Sequence, residues 1–241
     1  MIPEGPFFNA PGAFGYPFAT WGARVKYKPV DGFYLMAGVY NGDPNVKDTN
    51  RHGVDFTLNG PAFVIGEMGL RWGSCSEAVD LPGNLKAGVY YNGGTFISFR
   101  SGTKKGLNGY YILGDQALLR WGDPQDNRHL GVFGSFTVAP DESISRMPYF
   151  FNAGLLASGV LKLRPKDFVG VGVVFGRQYH QAASASNVNV LGNETVWEFA
   201  YGYWLRPGCL LQPDIQYISN PGGNPAIKNA LALGVNIKIV F

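Results

Sequence analysis

The 241 residues predict an all-β protein, a transmembrane antiparallel up-and-down β-barrel, and three observations carry that expectation. The first is the C-terminal run NALALGVNIKIVF, Asn229 to Phe241. Leu231, Leu233, Val235, Ile237, Ile239 and Phe241 fall on one parity, and Ala232, Gly234, Asn236 and Lys238 fall on the other. Side chains alternate faces along a strand, so this is a strand with one apolar and one wet face that stops on an aromatic, as a closing barrel strand does. The second is composition: 34 Gly, 15% aromatic and only 15% charged residues, against roughly 25% charged in soluble domains. Third, no stretch approaches the about 18 consecutive apolar residues of a membrane helix, so the apolar content is spread over alternating segments.

Strands are read, in order, at residues 19–28, 33–40, 62–72, 85–92, 109–121, 130–137, 150–163, 168–177, 195–205, 210–218 and 230–241. Several repeat the alternation of the last. Trp21, Ala23, Val25 and Tyr27 oppose Gly22, Arg24, Lys26 and Lys28, and Leu211, Ile215 and Tyr217 oppose Gln212, Asp214 and Gln216. A soluble β-sandwich also alternates, with its polar face outward, so alternation alone does not separate the two architectures. Connections do. Short links at 29–32, 122–128, 165–167 and 207–209 take turns with longer polar links at 41–61, 93–108, 178–193 and 219–228, as periplasmic turns and extracellular loops do. The links at 73–84 and 139–147 fit their sides less well. Tyr27, Trp72, Trp121, Tyr203, Trp204 and Phe241 gather at strand ends on the short-turn side, where an interfacial aromatic girdle is expected.

About eleven strands is an odd number, whereas single-chain bacterial barrels have an even number. The N-terminal run MIPEGPFFNAPGAFGYP has neither the basic nor the apolar region of a secretory leader. Both features lead to the expectation of one barrel domain over 1–241, truncated at its N-terminus, with residues 1–17 the tail of an extracellular loop. A net charge of +3 does not support a nucleic-acid partner. Cys75 and Cys209 lie six strands apart and are expected to be free thiols. No catalytic or metal motif is present, and no cofactor is expected. GVGVVFG at 170–176 lacks the spacing of a nucleotide loop, His180 with Ser184 or Ser186 is a chance pairing, and Asn193-Glu194-Thr195 is a sequon by pattern only.

Several runs resemble the OprB-type carbohydrate-selective porins. They are LLQPDIQYISNPGGNP at 210–225 with KNALALGVNIKIVF at 228–241, ATWGARVKYKP at 19–29, GVYNGDP at 38–44 and NLKAGVYYNGGTF at 84–96. GDQALLRWGDP at 114–124, GVFGSFTVAPDE at 131–142 and ETVWEFAYGYWLRPG at 194–208 belong with them. The resemblance covers nearly the whole chain and about the C-terminal two-thirds of a family member. It implies a porin-type barrel of about sixteen strands, of which about eleven are present, and passive diffusion of small sugars across the outer membrane without catalysis. Implied partners are the transported sugars, outer-membrane lipid, a homo-oligomer and the barrel-assembly machinery, met through the strand ending in Phe241. A general diffusion porin and a non-conducting fragment are the alternatives.

Selectivity would belong to polar side chains on the wet face. Alternation nominates Arg24, Lys26, Glu67, Arg71, Lys86, Asn92, Arg120, Glu198, Asp214, Gln216, Asn236 and Lys238. Facing rows of opposite sign can orient hydroxyl-rich neutral solutes through several modest hydrogen bonds. Tyr90, Phe133 and Trp204 are candidate stacking rings, although wall packing or the girdle explains each of them better. Arg51, His52, Lys104 and Lys105 read as solvated loop residues. In the strand at 109–121, Asp115 and Gln116 are adjacent. One of the two should therefore face lipid unless a bulge intervenes; Gln116 shares parity with Arg120 and is expected inward, and parity does not place Asp115.

Overall fold

The computed structural model of the protein describes residues 19–43, 54–55, 60–73, 81–122, 128–181 and 189–240. Eleven antiparallel strands form one sheet, each hydrogen-bonded to its neighbour in sequence. They are β2 (Gly22–Val30), β3 (Phe33–Asn41), β5 (Ala62–Trp72), β6 (Gly83–Ile97), β7 (Thr103–Arg120) and β8 (His129–Val138), followed by β9 (Tyr149–Ser158), β10 (Phe168–Gln181), β11 (Asn189–Arg206), β12 (Cys209–Ser219) and β13 (Ala230–Ile239). The sheet order runs from β2 to β13 without closing on itself. A separate two-stranded parallel pair joins β1 (Ala19–Thr20) to β4 (Val54–Asp55), which alternation did not foresee. Among the described residues no helix is long and apolar enough to cross a membrane.

Every expected strand is present: the one at 62–72 has its expected bounds, and the others differ in length. The link expected at 93–108 is mostly strand: β6 and β7 run on to a turn at 98–102. In the other direction, the strand expected over 150–163 stops at Ser158, and residues 159–167 form a longer turn. The two-residue turns Asp31-Gly32 and Pro207-Gly208 need a positive φ at the glycine, which is 80° and 81°. A Cβ at Gly32 or Gly208 would also stand 2.4 Å from Arg71 O or 2.6 Å from Val240 O, so each turn tucks under the neighbouring strand end.

The two faces differ in kind. One carries Val25, Leu35, Val64, Met68, Val89, Ile112, Phe136, Leu155, Val171, Phe199, Ile215 and Leu233, all exposed. A soluble monomer rarely exposes an apolar patch beyond a few hundred Å². A face apolar across all eleven strands is instead what lipid requires. Tyr27 and Trp72 lie at its short-turn end, exposed as a girdle would be. Trp204 does not join them: its ladder partner Leu210 pairs with Lys238, which puts it on the opposite face. Phe241 lies outside the described residues.

Both ends of the sheet are tied by polar contacts. At the short-turn end, Asp167 accepts from Arg164 Nε at 2.9 Å, Arg164 Nη2 at 3.0 Å, the Tyr201 hydroxyl at 2.7 Å and the Trp204 N–H at 3.0 Å. Arg164 Nη2 also donates to Trp204 O at 2.6 Å, and its guanidinium lies 4.1 Å from the Tyr203 ring centre. At the other end, residues 139–148 fold back onto β6 and β7, and Ile144 packs into a cluster with Phe63, Tyr90, Phe96, Leu107 and Tyr111. Lys104 pairs with Asp141 there and Arg177 with Glu142 at 3.7 Å. Lys104, expected as a solvated loop residue, is therefore a clasp.

Candidate functional site: the polar face of the sheet

Ladder register puts all twelve sequence-nominated residues on the face opposite the apolar one. One continuous row of cross-strand partners runs Arg71, Asn84, Asp115, Phe133, Gly154, Gly172, Glu198 and Gln216 from β5 to β12. Arg71 Nε donates to Asn84 Oδ1 at 3.1 Å, and Asn84 Nδ2 donates to Asp115 Oδ2 at 3.0 Å, so opposite charges are joined through a neutral amide. At the other end of the row, Gln216 Nε2 donates to Asp214 Oδ1 at 3.1 Å and to Glu198 Oε2 at 3.5 Å.

On this face Glu67 accepts from two tyrosine hydroxyls. Tyr34 donates its hydroxyl to Oε1 at 2.6 Å and Tyr111 to Oε2 at 2.7 Å. Each ring crosses a glycine to get there. A Cβ on Gly69 would stand 2.1 Å from the Tyr34 ring, and one on Gly88 would stand 2.3 Å from the Tyr111 ring. Lys26 Nζ sits 3.7 Å from the centre of the Tyr34 ring, a cation–π contact that extends the line to β2. Neither tyrosine was nominated from the sequence. The signal for each, the glycine opposite it in the paired strand, can be read only once the register is known.

The adjacent pair in β7 resolves against the expectation for Gln116. Asp115 pairs with Asn84 and Phe133 and lies on the polar face, while Gln116 lies on the outer one. A register shift between Ala117 and Leu119 then returns Arg120, opposite His129, to the polar face. Gln116 is kept satisfied at the girdle level: Trp72 Nε1 donates to its Oε1 at 2.8 Å, and its Nε2 donates to Ala117 O at 2.8 Å.

Asn92 also departs from its assigned role. It is wholly buried, and its Oδ1 accepts from the Gly94 N–H at 2.8 Å beside the register shift in β6, so it supports the bulge rather than offering a group to solute. Tyr90 is buried in the aromatic cluster and serves as wall packing. Cys209 is a free thiol. Arg51, His52, Cys75, Ser184, Ser186 and the side chain of His180 lie outside the described residues. Among the described residues no cluster of His, Cys, Asp or Glu could hold a metal ion.

An antiparallel sheet with one lipid-compatible face and one hydrogen-bonded, mixed-charge face defines a wall of a transmembrane β-barrel channel. The family model described as carbohydrate-selective porin, OprB family, matches residues 6–241, and the chain belongs to that family. Porin B of Pseudomonas aeruginosa is 24% identical over 261 residues, spanning 95% of this chain and 56% of that protein. A putative porin, QuiX, of Acinetobacter baylyi is 27% identical over 252 residues, with 95% and 57% covered. In fold, the chain is similar to the high-pH structure of Pseudomonas putida OprB, with a TM-score of 0.81 at 22% identity over 95% of this chain and 60% of that one. The low-pH structure of the same protein gives a TM-score of 0.59. The chain thus spans a little over half the length of these relatives.

Proposed function

We propose that this chain forms wall of a water-filled outer-membrane channel through which small sugars diffuse passively, in preference to charged solutes of similar size. The observation that carries the reading is the pairing on the polar face. Carboxylates are held by neutral donors, two tyrosine hydroxyls on Glu67 and an amide shared between Asp214 and Glu198. Such a face offers oriented hydrogen-bonding groups without a field of one sign, and each contact is weak enough to release the solute. The proposed path residues are Arg24, Lys26, Glu67, Arg71, Lys86, Arg120, Glu198, Asp214, Gln216, Asn236 and Lys238. The apolar face meets outer-membrane lipid. A homo-oligomer, and engagement of the barrel-assembly machinery through the last strand, are further parts of the proposal.

The test is swelling of proteoliposomes made with the protein extracted from outer membranes. Glucose is expected to enter faster than gluconate or glucosamine, which are of similar size and opposite charge. Equal rates for all three would replace this reading with a general diffusion porin.

A further inference from the structure

The turn between β9 and β10 differs from the other short turns in what it exposes. Asp31-Gly32 and Pro207-Gly208 carry no large aliphatic side chain, whereas residues 159–167 expose Val160, Leu161 and Leu163, the last of them 94% exposed. Lys162, Arg164 and Lys166 follow one another at every second position of the same turn. The turn leans on the lipid-facing side of the wall. Tyr201 and Tyr203 continue the parity of Phe199, an exposed residue of the apolar face. The Tyr201 hydroxyl donates to Asp167, and the Tyr203 ring lies against the Arg164 guanidinium. Arg206 joins this edge, because the register shift after Trp204 pairs it with Cys209, whose own partner Ile239 is exposed on the apolar face. Between the two turns remains a groove of about 380 Å³, lined by Leu163, Arg164, Lys166, Trp204, Arg206 and Pro207. It lies within the range of about 300–1,000 Å³ that holds small molecules, with room for a phosphate and its glycerol.

The charge of this groove is unbalanced. Its carboxylate, Asp167, is already engaged by Arg164, the Tyr201 hydroxyl and the Trp204 N–H. Among the described residues no carboxylate pairs with Lys162, Lys166 or Arg206. Free cations beside exposed aliphatic side chains, at the level of two tyrosines, call for an anionic amphiphile rather than a simple anion. A phosphodiester accepts from guanidinium and ammonium groups, and the acyl chains it carries cover the leucines. Lysine and arginine at this depth keep their stems on apolar surface and their heads among the lipid headgroups. We infer that the β9–β10 turn and Arg206 form a site for the phosphate headgroup of an anionic phospholipid in the periplasmic leaflet, with Lys166 and Arg206 on the phosphate and Leu161 and Leu163 against the chains. The inference rests on the proposed contact of the apolar face with outer-membrane lipid and deepens it, because it assigns one class of lipid to one place on the rim.

Native mass spectrometry tests the site on protein extracted from outer membranes, stripped of lipid in a neutral detergent and titrated with defined lipids. Phosphatidylglycerol is expected to stay bound under conditions that release phosphatidylcholine with the same chains. Its affinity should fall about tenfold or more in Lys166→Gln/Arg206→Gln. Leu161→Ser/Leu163→Ser should weaken it as well. All four side chains are exposed, so both variants are expected to keep the folded band on unheated gels. Arg100→Gln/Lys105→Gln, which removes the same charge at the opposite end of the sheet, should leave binding unchanged. Equal retention of the two lipids, unchanged affinity in either rim variant, or an equal loss in the Arg100/Lys105 variant overturns the site. Displacement of phosphatidylglycerol by an equal concentration of inorganic phosphate overturns it in favour of a simple anion site. Equal retention by a protein that needs detergent to stay in solution removes the site alone, whereas full solubility without detergent removes the membrane reading beneath it.

Discussion

Asp167 carries four hydrogen bonds at the point where the β9–β10 turn meets β11, and its carboxyl is only 4% exposed. Burial alone would push that carboxyl up. The bonds from Arg164, the Tyr201 hydroxyl and the Trp204 N–H outweigh burial and hold it below its ordinary value. A group depressed on folding contributes stability that is fully present above the unfolded pKa of about 3.9 and is lost as pH falls through the folded value. Asp167→Asn is therefore expected to cost about 2 kcal/mol at neutral pH, with the gap to the parent protein closing in the acid range. Denaturant titrations in micelles, followed by tryptophan fluorescence, check this; a gap that stays constant into the acid range would contradict it. The latch was not legible in the sequence, because residues 159–167 read as the end of a strand plus a tight turn. The wet-face residues were legible, since alternation needs only parity. What parity could not supply was the bulge at Ala117/Leu119, and that bulge decides which of Asp115 and Gln116 meets water.

The strands obey a second rule that alternation does not express. Tyr40, Tyr34, Trp72, Tyr90, Tyr111, Phe133 and Phe168 each lie on a glycine that is their direct partner in the neighbouring strand: Gly22, Gly69, Gly83, Gly109, Gly88, Gly154 and Gly202. These seven glycines are therefore space for rings, beside the glycines that serve turns at positive φ, and each ring covers backbone that glycine leaves bare. Gly88→Ala is predicted to lower stability by about 1–3 kcal/mol, because its Cβ must displace the Tyr111 ring that reaches Glu67. Gly66→Ala is the control: nothing lies within 4 Å of its Cβ, and it should be neutral or slightly stabilising. Equal denaturation midpoints for the two variants would contradict the pairing rule. The sequence shows the glycines and the rings, but the pairing becomes visible only once the register between strands is known.

At the scale of the whole molecule, the decisive feature is an eleven-stranded sheet whose first and last strands, β2 and β13, are not paired to each other. Unpaired backbone groups in lipid cost several kcal/mol each, so the 241-residue chain refolded alone is predicted to give no steady single-channel conductance. A stable, reproducible conductance level from that material would contradict this. The division into two faces is the central claim, and it was the most legible property of the sequence, because it depends on period rather than on any contact. Labelling of single cysteines by a water-soluble maleimide in isolated outer membranes tests it most directly, with Cys75 and Cys209 replaced by serine. Asp214→Cys and Asn236→Cys are predicted to label, while Ile215→Cys and Val235→Cys, their immediate neighbours on the apolar face, are predicted to stay protected. Equal labelling of all four, or the reverse pattern, would contradict the account.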